Sequence, residues 1–267
     1  MYHDLNIDFE LFKDKKTRSE LLETVSKFGY EAIAVNETID GRVDSGLEPS
    51  IRGSLRSEES AGEDKALRLR GIRILSRVTV KLGNAQRVDF LRAAEPALRK
   101  FDVVAVCPTS ERQLKLCMEL DFINIVAFEN SARIPFNIKP QLIASLEAQG
   151  MLVEVVYAPA IRDASMRRLV VVNGSSISRI TGSKTLLISS GARHVLELRP
   201  ARDVINLVHV LFKITEARAK SAINTAPQRI LNKIEASNPS IRRSTAKQTA
   251  SRERSQESSN RKRKLPS

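Results

Sequence analysis

Short runs of apolar, mostly β-branched residues recur along the chain. They fall at Tyr2–Ile7, Tyr30–Val35, Ile72–Val80, Val103–Val106, Asn124–Phe128, Leu152–Tyr157 and Thr185–Ser189. Each has the length of a buried strand. Between most of them the spacing changes to that of a helix. In Arg18–Phe28, for example, Leu21, Leu22, Val25 and Phe28 fall on one face, and Gly29 follows as a helix stop. Arg87–Leu98 and the shorter Arg112–Leu120 are read the same way. Strand–helix alternation predicts a parallel sheet with helices outside it. Seven such units without a glycine-rich phosphate loop predict an α/β fold of the closed, TIM-like barrel type, rather than an open doubly wound sheet. No eighth strand is legible: after the seventh, Asp203–Phe212, Glu216–Ala226 and Pro227–Ala236 are read as helices.

Two segments interrupt this pattern. Residues 40–70 are rich in Gly, Ser, Glu and Arg and are expected to form a long solvated loop between the second and third strands. Residues 237–267 are Ser-rich and charged, with almost nothing to bury, and are expected to be a disordered basic tail. The expected organisation is one barrel domain over residues 1–236 and a tail over 237–267.

Composition sharpens the picture. Aromatic residues make up 4% of the chain and Trp is absent, so aliphatic side chains must supply the core. The formal net charge of +13 points to a polyanionic partner. The tail holds +7 of it and the barrel +6, so contact with nucleic acid need not be confined to the tail. No stretch approaches the ~18–20 apolar residues of a membrane span, and no membrane partner is expected. Met1–Asp4 is polar and strand-like, so no signal peptide is expected. Two cysteines, Cys107 and Cys117, lack the number for a disulfide scaffold and the spacing of a zinc site.

Six blocks carry a more specific signal. YHDLNI (Tyr2–Ile7), GYEAIAVN (Gly29–Asn36), IRILSRVT (Ile72–Thr79), FDVVAVCPTSE (Phe101–Glu111), VEVVYAPAIRDASMRR (Val153–Arg168) and LISSGARHVLEL (Leu187–Leu198) occur in that order. Together, over roughly residues 1–226 without the 40–70 loop, they resemble the thirty-kilodalton TIM-like barrel subunit of archaeal and eukaryotic ribonuclease P, which nuclei share with RNase MRP. The resemblance implies a ribonucleoprotein whose catalytic RNA removes the 5′ leader of precursor tRNA, with magnesium at the RNA active site and no cofactor on this chain. It implies a ferredoxin-like protein partner, other ribonuclease P proteins, a second role in pre-rRNA processing, and a place in the nucleus, including the nucleolus.

The alternative is a stand-alone metal-dependent phosphoesterase, because this barrel type also resembles the polymerase-and-histidinol-phosphatase hydrolases. Those enzymes place two histidines at alternate positions after the first strand. Here the corresponding positions are Asp4, Asn6 and Asp8, which strict alternation would put on one face, with His3 opposite. Zinc or manganese chemistry wants imidazole as well as carboxylate, and the other histidines, His194 and His209, are remote in sequence. No catalytic or metal residue is therefore assigned. Ser189 and Ser190 near His194 lack a nucleophile-elbow motif. His209 and both cysteines are read as structural, and Arg77 as structural whether it points into the barrel or toward the helices.

The residues expected to touch RNA or a partner are basic. Arg162, Arg167 and Arg168 follow the sixth strand, and Arg193 and Arg199 follow the seventh, all at the rim where barrels collect their functional groups. Guanidinium groups suit phosphate bidentately, although Arg162 or Arg168 could instead pair with Asp163 or Glu197. Arg261, Lys262, Arg263 and Lys264 form a short basic cluster expected to act as a nuclear localisation signal.

Overall fold

The computed structural model describes residues 1–51, 71–83, 88–129, 132–182 and 184–237. The chain divides into two compact units, residues 1–228 and 229–267. The first opens with β1 (Tyr2–Asp8), the short α1 (Glu10–Lys13), α2 (Lys15–Lys27), β2 (Tyr30–Asp40) and β3 (Arg73–Lys81). It continues through α3 (Asp89–Ala93), α4 (Glu95–Leu98), β4 (Val103–Cys107), α5 (Glu111–Met118), β5 (Ile125–Val126) and α6 (Pro140–Ala148). Then follow β6 (Leu152–Val156), α7 (Ala158–Arg162), α8 (Ala164–Ile180), β7 (Leu186–Ser189), α9 (Ala201–Phe212) and α10 (Glu216–Ile223). The last helix, α11 (Thr225–Ser237), crosses the division, and the described part of the second unit is its continuation.

The seven strands are all parallel and pair in sequence order, β1 to β7. This is the barrel expected from the alternating pattern. Among the described residues β7 and β1 form no full ladder. The seam is held instead where the chain leaves β7: Gly191 N–H donates to Asn6 O (2.8 Å), Asp8 N–H to Ala192 O (2.9 Å) and Ser190 Oγ to Asn6 O (3.0 Å). Helix α10 packs on both β7 and β1, so a helix covers the gap that an eighth strand would fill.

Local chemistry explains several boundaries. Asp14 accepts from Thr17 N–H (2.8 Å) and starts α2 ahead of its apolar stripe, while Gly29, at φ 82°, ends it. Residues 88–98 of the predicted helix divide into α3 and α4 because Pro96 has no N–H to continue a single helix. Strand β2 runs on to Asp40, and in the following segment Ser50 binds Glu37 through both N–H (2.9 Å) and Oγ (2.7 Å). Ile51 is buried, so the first part of the expected solvated loop is anchored, and 52–70 lies outside the described residues. The tail from 238 onward also lies outside them.

Strand β1 departs from strict alternation. Asp4 is in register with Ile33 but Ile7 with Val35, so β1 spends one extra residue across that interval. The bulge changes which residues face inward. Asn6 and Asp8 belong to the barrel interior and mouth, whereas Asp4, beside outward-facing Ile33, reaches Ser190 N–H (3.0 Å) near the seam. Asp4, Asn6 and Asp8 therefore do not share one face, as simple alternation had them.

The interior of the barrel is polar at its centre. Arg77, fully buried, points inward and meets Glu154 bidentately, with both N–O distances 2.6 Å. A closed ring of hydrogen bonds runs from this pair. Arg77 Nε donates to Thr79 Oγ1 (3.3 Å), and Thr79 Oγ1 to Asn36 Oδ1 (2.8 Å). Asn36 Nδ2 donates to Asn6 Oδ1 (3.1 Å), and Asn6 Nδ2 to Glu154 Oε2 (3.2 Å). Arg77 also donates to Leu5 O (2.7 Å), on the bulged part of β1. The ring links β1, β2, β3 and β6.

Removing one partner of a buried pair leaves an uncompensated charge and costs about 3–5 kcal/mol, while removing both costs less than the sum. Arg77→Met and Glu154→Leu should each be strongly destabilising in urea denaturation, and the double variant should be more stable than the sum of the two losses implies. Additive losses would show that the pair does not act as a unit.

Candidate functional site

A cavity of about 530 Å³ opens where the strands end, with Asn6, Asn36, Arg77, Thr79 and Glu154 among its lining residues. Cations at this mouth are held by carboxylates. Lys81 lies 3.2 Å from Glu129 and 3.7 Å from Asp40, and Arg193 lies 3.5 Å from Asp8. Arg162 meets Glu197 through Nε and Nη2, each at 2.7 Å. Glu197 also accepts from Arg193 N–H (2.8 Å). Burial by itself would raise the Glu197 pKa, but Arg162 and the Arg193 N–H outweigh it and hold the group below its usual value.

The rim arginines divide accordingly. Arg162, at the end of α7, is committed to Glu197. Arg199 donates to Leu196 O and Leu198 O (both 2.7 Å), bracing the short turn Val195–Glu197. Arg167 donates to Ala160 O (2.9 Å) and Arg193 is exposed above Asp8. Arg168 is exposed and makes no hydrogen bond or ion pair among the described residues. Arg167 and Arg168 stand on the first turns of α8, whose start is capped by Asp163 through Ser165 N–H (2.7 Å). The open reading of Arg77 closes in favour of the barrel interior. The cluster Arg261–Lys264 lies outside the described residues.

The remaining candidates are accounted for by packing and capping. His194 Nδ1 accepts from Leu196 N–H (3.2 Å), and Ser190 Oγ is bonded to Asn6 O, so they do not form a nucleophile–base pair. His209 is exposed, and its Nδ1 contacts Ile214 O (2.5 Å) just beyond α9. Burial pushes the thiols of Cys107 and Cys117 up to about 12, which leaves little thiolate at neutral pH. Among the described residues, no three His, Cys, Asp or Glu side chains converge as a metal site requires.

Burial also pushes His3 down to about 4, with the Gln228 side chain opposing the shift. Asp4 moves the other way, to about 6: burial raises it, and the bonds from Ser190 and Asn6 N–H only partly offset this.

Comparison with known proteins places the chain. The family described as RNase P subunit p30 matches residues 1–238. Ribonuclease P protein subunit p30 of Mus musculus is 32% identical over 224 residues, covering 82% of this chain and 81% of the mouse protein. Ribonuclease P/MRP protein subunit RPP1 of Saccharomyces cerevisiae is 28% identical over 240 residues, covering 87% and 80%. Among solved structures, a chain in archaeal ribonuclease P with mature tRNA superposes at a TM-score of 0.64 with 12% identity, covering 88% of this chain and 91% of its own, a likeness of fold. The chain belongs to the RNase P subunit p30 family.

Asp4 generates a prediction with a defined sign. Its folded pKa of about 6 lies above the ordinary 3.8, so the folded state holds the proton more tightly. Its contribution is most favourable below 3.8, declines as pH rises, and is lost above about 6. Two units correspond to about 3 kcal/mol at most. Asp4→Asn keeps the Oδ1 acceptor and removes the titration. The variant should be more stable than the parent at pH 7.5, with the difference shrinking toward pH 4. Lower stability at pH 7.5 would show that the carboxylate is needed.

Proposed function

We propose that this member of the p30 family is a structural and RNA-positioning subunit of a ribonuclease P particle. In that role it supports removal of the 5′ leader from precursor tRNA by a catalytic RNA. The observation that carries the reading is family membership over residues 1–238 together with a barrel centre filled by the protein's own ring of side chains. At that centre Arg77 is bonded to Glu154 and to Leu5 O. The catalytic metal, magnesium, belongs to the RNA. The yeast relative's name supports a second place in RNase MRP, and in this reading that place is in pre-rRNA processing.

In this reading the protein has RNA and several proteins as partners, among them a subunit of ferredoxin-like fold. Of the candidate arginines, Arg167 and Arg168, on the first turns of α8, remain open to phosphate, whereas Arg162 and Arg199 hold the rim in shape and Arg193 pairs with Asp8. The chain works in the nucleus and nucleolus, carried there by Arg261, Lys262, Arg263 and Lys264.

Two experiments test this. Tagged protein purified from cells should bring down a defined RNA and leader-removing activity, whereas RNA-free protein supplied with zinc, manganese or magnesium should turn over neither precursor tRNA nor generic phosphoesters. Robust turnover by the RNA-free chain would replace the reading with a protein phosphoesterase. Separately, changing Arg261, Lys262, Arg263 and Lys264 to Ala should shift the protein to the cytoplasm and leave its melting unchanged. Undiminished nuclear accumulation would assign import to another segment or to a partner.

A further inference from the structure

We propose that the outer face of α8, with the α9–α10 turn and α10, is the surface on which the first unit receives an RNA backbone, through Arg168, Arg179, Lys213 and Lys220. This rests on the ribonucleoprotein reading and gives it a location away from the barrel mouth.

The charge of the chain is divided at one point in the sequence. Residues 1–163 hold 25 acidic and 23 basic side chains, a net charge of −2. Residues 164–228 hold 10 basic and 3 acidic ones, a net of +7, and from Ala164 to Leu196 there is no Asp or Glu at all. The excess positive charge of the first unit therefore begins with α8.

Packing gathers it on one side. Phe212, the last residue of α9, lies against Gly174 so closely that a Cβ there would sit 2.4 Å from its ring, and Ser175 Oγ donates to Leu211 O (3.3 Å). Lys213 thus follows directly from a turn seated on the middle of α8. Arg218 of α10 donates to Ser178 O and Thr181 O, both at 2.6 Å, which fixes α10 against the C-terminal end of α8. Arg168 and Arg179 are separated by eleven residues of helix, about 16 Å along its axis.

The four side chains are exposed and make no ion pair among the described residues. Elsewhere in the first unit, exposed cations are commonly neutralised: Lys27 by Glu23, Arg92 by Glu119, Arg99 by Glu95 and Lys115 by Glu111. A phosphate approaching a paired cation must compete with its carboxylate, and one approaching α8 need not. An array of unpaired cations along a helical face suits a polyanion read by its backbone. A membrane surface would call for Trp, Phe or Leu beside the charges, and the large exposed apolar residues near this face are Val172 and Val210.

The test compares full-length wild type, Arg168→Ala/Arg179→Ala/Lys213→Ala/Lys220→Ala, and the control Lys27→Ala/Arg92→Ala/Arg99→Ala/Lys115→Ala. The probe is a labelled A-form RNA duplex titrated across a range of salt. At roughly 0.7–0.9 per phosphate contact, loss of four contacts should reduce the slope of log affinity against log salt by about 3. Affinity at 0.15 M salt should fall about tenfold or more, with melting unchanged, while the control keeps the wild-type slope. An unchanged slope in the folded variant, or an equal reduction in the control, overturns the assignment. So does a variant that loses binding to phosphatidylserine vesicles yet keeps the RNA. Wild-type precipitates assayed for leader removal separate the two levels: activity present with an unaltered variant slope sinks only this surface, and absence of a ribonuclease P RNA sinks the ribonucleoprotein reading with it.

Discussion

The ion pair between Arg77 and Glu154 is the constraint around which the first unit is organised. Two charges taken out of water are stable only when they meet with good geometry and their remaining donors and acceptors are satisfied. Here the pair is bidentate, and Thr79, Asn36, Asn6 and the carbonyl of Leu5 use what is left. Because those partners come from four strands, strand register is set from inside as well as by the backbone ladders. A slip of one residue in β2 or β6 would turn Asn36 or Glu154 out of the barrel. Small neighbours such as Ala34 and Ala105, both fully buried, leave room for so large a side chain.

The seam follows from the same requirement. The bulge in β1 gives Asn6 its place in the ring, and the same stretch presents Asn6 O and Asp8 N–H to residues 191 and 192. A complete ladder with β7 is thereby replaced by a few bonds at one end, and α10 covers the rest. Closing the barrel with a helix draws α9 and α10 against α8, and so gathers onto one side three elements whose charges are scattered in sequence. Architecture and electrostatics are linked through that seam.

What was legible in the sequence was whatever depends on local pattern. The seven apolar runs became seven strands because most of them bury apolar, often β-branched residues, as β3, β4 and β6 do, and α2 and α5 were visible from their stripes. Helix α8 was not, although it is 17 residues long. It contains Val170, Val171 and Val172 together with Gly174, Ser175, Ser176 and Ser178, residues of modest or poor helix propensity, and it is helical because its inner face is buried against neighbours. Strict alternation placed Asp4 beside Asn6 and Asp8, and a single inserted residue defeats it. Arg162 and Glu197 are 35 positions apart, a separation that sequence spacing leaves open and the geometry of the rim decides. The change of charge at residue 164 was present in the sequence throughout. A division of charge between tail and barrel averages over it.

A barrel whose mouth is self-neutralised has a consequence for how it can serve a larger particle. Arg162, Arg193 and Lys81 are each spent on a carboxylate at the rim, and Arg77 is spent below it. An RNA phosphate entering there would have to displace carboxylates already paired, of which Glu197 and Asp8 are partly buried, losing in broken pairs much of what it gained in attraction. On α8 the same phosphate displaces only water and mobile counterions, whose release favours binding. The face of the fold that other barrels use for chemistry is thus the less favourable one for a polyanion here. The outer helices are then the surface on which the net charge of the chain can act.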